Sequence, residues 1–139
     1  MIRVAGPGDL PACLEVRHEV FVVGQGVPAE LDDDGLDPAA LHLVALHDGR
    51  AVGTARLRDV DSHAKIERVA VREAHRGLGL GRALMARLHD EAAALGYREA
   101  ALHAQVQVIP FYEALGYAAH GEPFLDAGIL HREMTRALP

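Results

Sequence analysis

The chain contains 139 residues, of which 50% are apolar and 24% are charged, and its formal net charge is −6. These values fit one globular domain over residues 1–139 and exclude a disordered chain, which would contain fewer apolar residues. The negative charge argues against nucleic acid or an anionic membrane as a partner, and no apolar stretch is long enough to cross a bilayer. The single cysteine, Cys13, has no partner for an internal disulfide, which predicts a cytoplasmic location.

The first part of the chain predicts a helix, an acidic loop and a hairpin. Asp9 is a typical N-cap, and the apolar residues after it follow helical spacing until Gly24. Residues 30–37 are mostly acidic and predict a loop. Residues 42–46 and 51–58 predict two strands joined by a tight turn at Asp48 and Gly49.

The second part predicts strands that alternate with helices. Residues 65–71 predict a central strand, and a glycine-rich turn leads from it into a helix that runs to about Leu95. Residues 100–104 and 129–135 predict two further strands, and Pro110 opens a short helix between them. This order indicates an α/β or α+β domain in which helices flank a mixed, mostly antiparallel sheet.

The glycine-rich turn has the features of an anion-binding site. Gly77, Gly79 and Gly81 allow backbone N–H groups to approach an anion closely, and the helix that starts there adds free donors and a positive dipole end. Arg76 and Arg82 flank the turn and favour phosphate. A turn that only packs a helix against the sheet is the alternative. The dinucleotide pattern G-x-G-x-x-G fails in both registers and no Gly-Lys-Ser/Thr occurs, so the sequence favours neither NAD nor a nucleoside triphosphate.

Two motifs resemble those of a known family. Residues 66–71 and 75–81, IERVAV and HRGLGLG, resemble the acetyl-CoA-binding motif of the GNAT superfamily of N-acetyltransferases, whose core is Arg/Gln-x-x-Gly-x-Gly/Ala. Residues 110–117, PFYEALGY, resemble the later motif of the same superfamily, and the predicted element order fits nearly the whole chain. Within the superfamily, the chain is similar to a poorly assigned bacterial subfamily of acyltransferases.

The resemblance implies a GNAT-like fold with a V-shaped opening between two central strands, and acetyl-CoA as co-substrate without a metal. A primary amine, on a small molecule or a peptide, would attack the thioester directly in a ternary complex. The implied cofactor contacts are the strand residues Val69, Ala70 and Val71, the turn residues Arg76, Gly77, Leu78, Gly79, Leu80, Gly81 and Arg82, together with Gln105 and Tyr112. Gln105 stands where many members have Asn.

Two residues are the catalytic candidates. Tyr112 resembles the tyrosine that protonates the departing thiolate in many members, and the alternative is a tyrosine that only packs against the sheet. Glu67 is the candidate base, since residues 67, 69 and 71 are predicted to share one strand face. An ion pair with Arg56, Arg68 or Lys65 is the alternative role for Glu67. His103 and His131, also on predicted strands, are alternative proton relays.

Three expectations concern partners. The acidic loop at 30–37 predicts either a solvated turn or a rim that attracts a cationic acceptor. A calcium loop is disfavoured because its twelfth position would be Leu41, where a bidentate Glu is required. A homodimer is an open alternative to a monomer, and a non-catalytic acyl-CoA-binding or sensor module is the alternative to an enzyme.

Overall fold

A computed structural model describes all residues from 1 to 139 and shows one seven-stranded sheet with the order β1-β2-β3-β4-β5-β7-β6. The strands are β1 (Ile2–Val4), β2 (Leu41–His47), β3 (Arg50–Val60), β4 (His63–Val71), β5 (Glu99–Gln105), β6 (Ala118–Asp126) and β7 (Ile129–Ala137). The helices are α1 (Leu10–Arg17), which continues as a π-helical segment (His18–Val23), α2 (Ala29–Asp32), α3 (Leu80–Ala94) and α4 (Ile109–Glu113). No helix combines the length and the apolar character that a bilayer crossing needs.

The predicted fold class is confirmed, and the elements missing from the prediction are short or polar. β1 has three residues and α2 has four, too few to show a periodic pattern. β6 was missed because it is exposed along most of its length and contains Gly121 and Pro123, which are unfavourable in strands. Its pairing with β7 shifts register between His120 and Phe124, where these two residues lie.

Helices cover the sheet on both faces and form two cores. On one face, α3 contributes Leu84, Met85 and Leu88 to the larger core, and all three are fully buried. On the other face, α1 packs Cys13 and Val16 against β2, β3 and β4 in the smaller core. Cys13 is therefore a buried packing residue.

The sheet opens between β4 and β5. These neighbouring strands are parallel, but only residues 64–66 of β4 pair with residues 100–102 of β5. Every other neighbouring pair is antiparallel. Beyond Ile66, the backbone groups of β4 that point away from β3 have no strand partner. The V-shaped opening between two central strands is thus present.

A β-bulge lies in β4 beside this opening. Between the pairs Thr54–Ala70 and Arg56–Glu67, β3 has one residue and β4 has two. Arg68, one of these two, has a φ of +55°, which is a strained conformation for a residue other than glycine.

The bulge contradicts the prediction that residues 67, 69 and 71 share one face. Val69 and Val71 pack against the core on the α3 side, as does Ile66. Glu67 lies on the opposite face, where its carboxylate accepts a hydrogen bond from Arg56. The extra residue reverses the two-residue alternation of the strand, an effect that a sequence pattern does not reveal.

Candidate active site

One large cleft of about 550 Å³ follows the opening of the sheet. β4, β5 and β7 form its floor, and α4 closes it on the α3 side. On the other side, its walls are the segment from α1 to α2 and the turn between β6 and β7. A cleft that passes from one face of the sheet to the other can admit two substrates from opposite sides.

The glycine-rich turn at the start of α3 presents a run of unpaired backbone donors. None of the amide N–H groups of residues 77–82 donates to another backbone group, and the first bond of the helix runs from Ala83 to Gly79. Six consecutive free donors at the N-terminus of a 15-residue helix form a strong anion-binding site. These six residues, Gly77 to Arg82, are the turn residues that the family resemblance implied as cofactor contacts.

The local geometry of this turn depends on its glycines. Gly77 and Gly79 have φ values of +79° and +80°, in the left-handed region that other residues rarely adopt. A Cβ at Gly81 would lie 3.5 Å from the ring of Phe111. The first two glycines therefore shape the turn, whereas at Gly81 a Cβ would make only an ordinary van der Waals contact with Phe111.

The two arginines beside the turn differ in their position. Arg76 lines the cleft, and its Nε donates to the carbonyl oxygen of Val71 at 3.0 Å, which leaves its two Nη groups unpaired. Arg82 is exposed and lies outside the cleft lining. Arg76 is thus better placed than Arg82 for a ligand that runs along β4.

Tyr112 lies on α4 and lines the cleft. Its ring packs edge-on against Phe111 and Tyr117, with ring centres 5.0 and 5.9 Å away. Burial raises the pKa of Tyr112 to about 12, and no hydrogen bond contributes to the shift. The hydroxyl therefore stays protonated at neutral pH and is free to donate.

Behind Tyr112, a short polar chain stabilises the aromatic cluster. Nη1 of Arg136 donates to Nδ1 of His89 at 2.9 Å, and Nε2 of His89 lies 2.6 Å from the hydroxyl of Tyr117. Burial, with the charge of Arg136, lowers the pKa of His89 to about 4. His89 is neutral at physiological pH, so with Nδ1 accepting, its Nε2 donates to Tyr117.

Glu67 also lines the cleft, but two arginines hold its carboxylate. Arg56 donates to its Oε1 at 2.9 Å, and Arg58 donates to its Oε1 and Oε2 at 2.5 and 3.2 Å. Burial alone would raise the pKa of Glu67, but Arg58 and Arg56 outweigh burial and hold it below the usual range. This geometry favours the ion-pair alternative and makes Glu67 a weak proton acceptor.

The acidic segment is exposed along most of its length, but arginines hold three of its carboxylates. Arg56, which is fully buried, donates to both carboxylate oxygens of Asp34 at 2.8–2.9 Å and to Asp37 at 2.9 Å. Arg17, also buried, donates to Asp37 at 2.7 Å, and Arg68 lies 3.0 Å from Asp32. These pairs engage three of the five carboxylates and fasten the segment to the sheet.

Three basic side chains share the floor of the cleft on the face opposite α3. Nζ of Lys65 donates to Nε2 of His103 at 2.8 Å, and burial together with Lys65 lowers the pKa of His103. His131, on β7, donates from Nδ1 to the carbonyl oxygen of Ile129 at 2.7 Å. Its ring stacks on Phe124 with centres 6.0 Å apart.

Gln105, at the end of β5, belongs to a chain of three amides in the cleft. Its Nε2 donates to Oε1 of Gln25 at 2.8 Å, and its Oε1 accepts from Gln107 at 2.6 Å. These bonds leave the second N–H of the Gln105 amide free for a cofactor contact.

Some cleft residues could not be identified from the sequence. They come from the segment between α1 and α2 and from the β6–β7 turn: Val20, Phe21, Val27, Leu31, Asp126 and Ala127. Most are apolar residues without a motif, and only the tertiary fold brings them to the cleft. The hydrophobic spacing of the first helix gave the sole signal, for Val20 and Phe21.

Several known proteins are similar to this chain in sequence and in fold. The Acetyltransferase (GNAT) domain family matches residues 9–138. YjcF of Bacillus subtilis, described as an uncharacterized N-acetyltransferase, is 42% identical over 122 residues, which cover 87% of each chain. An acyl-CoA N-acyltransferase from Pseudomonas aeruginosa is 34% identical and has a TM-score of 0.88 over 99% of this chain and 98% of that one. The fold also matches yncA of Salmonella typhimurium, a structure with its cofactor acetyl-CoA, at a TM-score of 0.79 and 23% identity over 100% and 94% of the two chains.

Proposed function

Because this chain belongs to the GNAT family of acetyltransferases, we propose that it transfers an acetyl group from acetyl-CoA to a primary amine by direct attack in a ternary complex. The observation that carries the proposal is the run of six unpaired amides at residues 77–82 beside a cleft that contains an unpaired tyrosine hydroxyl. The first feature fits a pyrophosphate, and the second fits a thiol leaving group.

The residues present fit coenzyme A. Amides 77–82 would hold the pyrophosphate, with the free Nη groups of Arg76 as a further contact. The unpaired backbone edge of β4 at residues 69–71 would pair with the amide groups of the pantetheine arm. When bound there, acetyl-CoA supplies an activated acyl group as a thioester. An N–H group of the bulge near Val69 would polarise its carbonyl.

Tyr112 serves as the general acid in this proposal. Its Oη donates a proton to the sulfur that leaves, and the phenolate regains the proton that the acceptor nitrogen loses as the amide forms. A pKa of about 12 keeps the hydroxyl fully protonated before the reaction, which a proton donor at neutral pH requires.

Glu67 has a different role from the one that the sequence suggested. A carboxylate whose pKa is held low by Arg58 and Arg56 stays ionised, so it attracts and orients an ammonium or a water molecule rather than retaining a proton. The residue that accepts the proton of the amine lies elsewhere on the cleft floor.

The test is acetyl-CoA turnover, measured as free thiol, against a library of small and peptide amines, with calorimetry of coenzyme A binding in parallel. We expect coenzyme A to bind and at least one amine to release thiol above the hydrolysis rate. Binding without thiol release would indicate a non-catalytic acyl-CoA-binding module. Absence of binding would contradict the proposal. A cytoplasmic location and a homodimer stay predictions.

A further inference from the structure

We propose that His131 is the general base that deprotonates the amine acceptor, and this inference rests on the proposed acetyl transfer. Most amines are protonated at neutral pH and must lose a proton before they attack a carbonyl. The base must line the cleft and must offer a lone pair that no protein group already uses.

Three side chains of β4, β5 and β7 line the cleft on the face opposite α3 and can accept a proton, and two of them are already engaged. Of the lining carboxylates outside these strands, Asp32 is paired with Arg68 and Asp126 forms no ion pair. The Glu67 carboxylate accepts hydrogen bonds from Arg56 and Arg58. Nε2 of His103 accepts a hydrogen bond from the Lys65 ammonium, 2.8 Å away. A proton added to either group would displace an existing cationic donor.

His131 is the third acceptor and differs from the other two. The bond from its Nδ1 to the carbonyl oxygen of Ile129 fixes the neutral tautomer, so the lone pair lies on Nε2. Nε2 has no hydrogen-bond partner in the protein. The stacking on Phe124 holds the plane of the ring. Both constraints pre-orient a base, which reduces the entropic cost of proton transfer.

The charges around His131 suit a group that gains a proton. On the same face of the sheet lie Glu133 of β7, His103 of β5, Lys65 and Glu67 of β4, and Asp126 at the end of β6. Asp126 forms no ion pair, so its charge is free to favour an imidazolium. Lys65, on the same face, has no carboxylate partner, and its charge opposes an imidazolium.

The protons balance over the whole reaction. Nε2 of His131 takes one proton from the ammonium of the acceptor, and that N–H bond breaks as the imidazolium forms. The C–N bond then forms and the C–S bond breaks, while Tyr112 gives its proton to the sulfur and regains one that the nitrogen loses. His131 is half-buried and returns its proton to water, so one proton is released in each turnover.

The test compares His131→Gln with His120→Gln. His120 is an exposed histidine of β6 that is bonded to Thr135 outside the cleft, so it controls for loss of a histidine. With the best amine from the library, we expect kcat of His131→Gln to fall by roughly 10²–10⁴, the usual contribution of a positioned base. The KM for acetyl-CoA should stay within about twofold, because His131 contributes nothing to donor binding.

Two further readouts separate a base from a structural residue. The decline of kcat/KM at acidic pH should be weaker in His131→Gln than in the wild type and in His120→Gln. Added imidazole should restore part of the activity of His131→Ala. Nitrogen NMR of the wild-type protein should show the Nδ1–H tautomer at His131, a measurement that needs no acceptor.

Each contrary result has a distinct meaning. Full activity of His131→Gln, or the Nε2–H tautomer, overturns the role of His131 alone. The role is also overturned if the variants have low activity, but kcat/KM of His131→Gln declines at acidic pH as in the wild type and imidazole does not rescue His131→Ala. If the wild type releases no thiol with any amine, the proposed function fails first, and this inference fails with it.

Discussion

The two sides of the cleft are built in different ways. On the side of α3, backbone amides of one continuous segment, residues 77–82, form the anion site, and glycines set its geometry. On the opposite side, side chains of the segment from α1 to α2 and of the β6–β7 turn form the wall, and a network of arginines and carboxylates fastens the acidic segment to the sheet. A backbone site tolerates most side-chain changes, whereas a side-chain site can change its substrate with few substitutions. If the backbone site holds the donor, as proposed, we expect it to be common to the family while the side-chain wall varies with the acceptor.

The largest effect on the rate is expected from a change at Tyr112, on α4. Tyr112→Phe keeps the ring and its packing but removes the proton donor, so kcat should fall by roughly 10²–10⁴ while coenzyme A affinity stays the same. Steady-state kinetics and calorimetry measure the two quantities. Tyr97→Phe is the matched control, since Tyr97 bonds to Asp59 outside the cleft. An equal loss of binding and rate would instead mean that the hydroxyl holds the donor.

The donor side can be broken by one charge. Gly79→Glu places a carboxylate and a side chain with φ near +80° at the amide run. A like charge about 4 Å from a phosphate costs roughly 4 kcal/mol at an effective dielectric constant near 20, so affinity for coenzyme A should fall by about 10³. Calorimetry measures the loss.

The matched control for this variant is Gly96→Glu. Gly96 has a φ of +92° and open space around it, but it lies at the far end of α3. It carries the same strain and the same charge change without a nearby ligand. Equal affinities in the two variants would place the pyrophosphate elsewhere.

The acceptor side depends on Arg56 for stability. Arg56→Met leaves Asp34 and Glu67 without a fully buried partner and Asp37 with Arg17 alone, so the free energy of unfolding at pH 7 should fall by about 3–5 kcal/mol. Urea unfolding measures it, and Arg98→Met, at an exposed position, should have little effect.

The same loss should depend on pH. Arg56 holds the pKa of Asp34 below its unfolded value, so this ion pair stabilises the fold above about pH 4. The contribution disappears as the pH falls through the folded pKa. The difference between wild type and Arg56→Met should therefore shrink in acid, and a constant difference would show that Arg56 acts by packing alone.

The smallest effect separates the network from simple steering of a cationic substrate. Asp34→Asn weakens the link to Arg56 and should raise the KM for the acceptor by a few-fold, roughly the value of one ion pair at a partly exposed site. Asp33→Asn, at an exposed neighbour without an ion pair, should leave that KM unchanged at low and high salt. If Asp33→Asn raised this KM more than Asp34→Asn did, the segment would act through long-range attraction of a cationic acceptor.

The sequence predicted the glycine-rich turn and the start of α3 well because their geometry is local. The glycine spacing from Gly77 to Gly81 fixes backbone conformation, and the helix start at Leu80 follows within the same segment. The acceptor side is not local, since Arg56 meets Asp34 across 22 residues and Glu67 across 11. Charge pairing over such distances is invisible in a pattern of residue types, so the acidic segment was expected to be free.

The prediction that Glu67 shares a strand face with Val69 and Val71 was wrong for a related reason. Strand alternation predicts faces correctly only while the pairing is regular, and one inserted residue at Arg68 reversed it. The sequence around Arg68 does not indicate a bulge, because the residue with positive φ is not a glycine.

The three-residue pairing between β4 and β5 makes the sheet a pair of halves that share a short seam. A ligand with amide groups that lies along residues 69–71 would supply hydrogen bonds that the protein lacks there, and it would act as an additional strand. Amide hydrogen exchange in β4 and β5 should therefore slow when coenzyme A binds, well beyond the residues that the ligand touches. If so, bound coenzyme A joins β4 and β5 into one cooperative unfolding unit, and without it the two halves of the sheet are coupled only through residues 64–66 and 100–102.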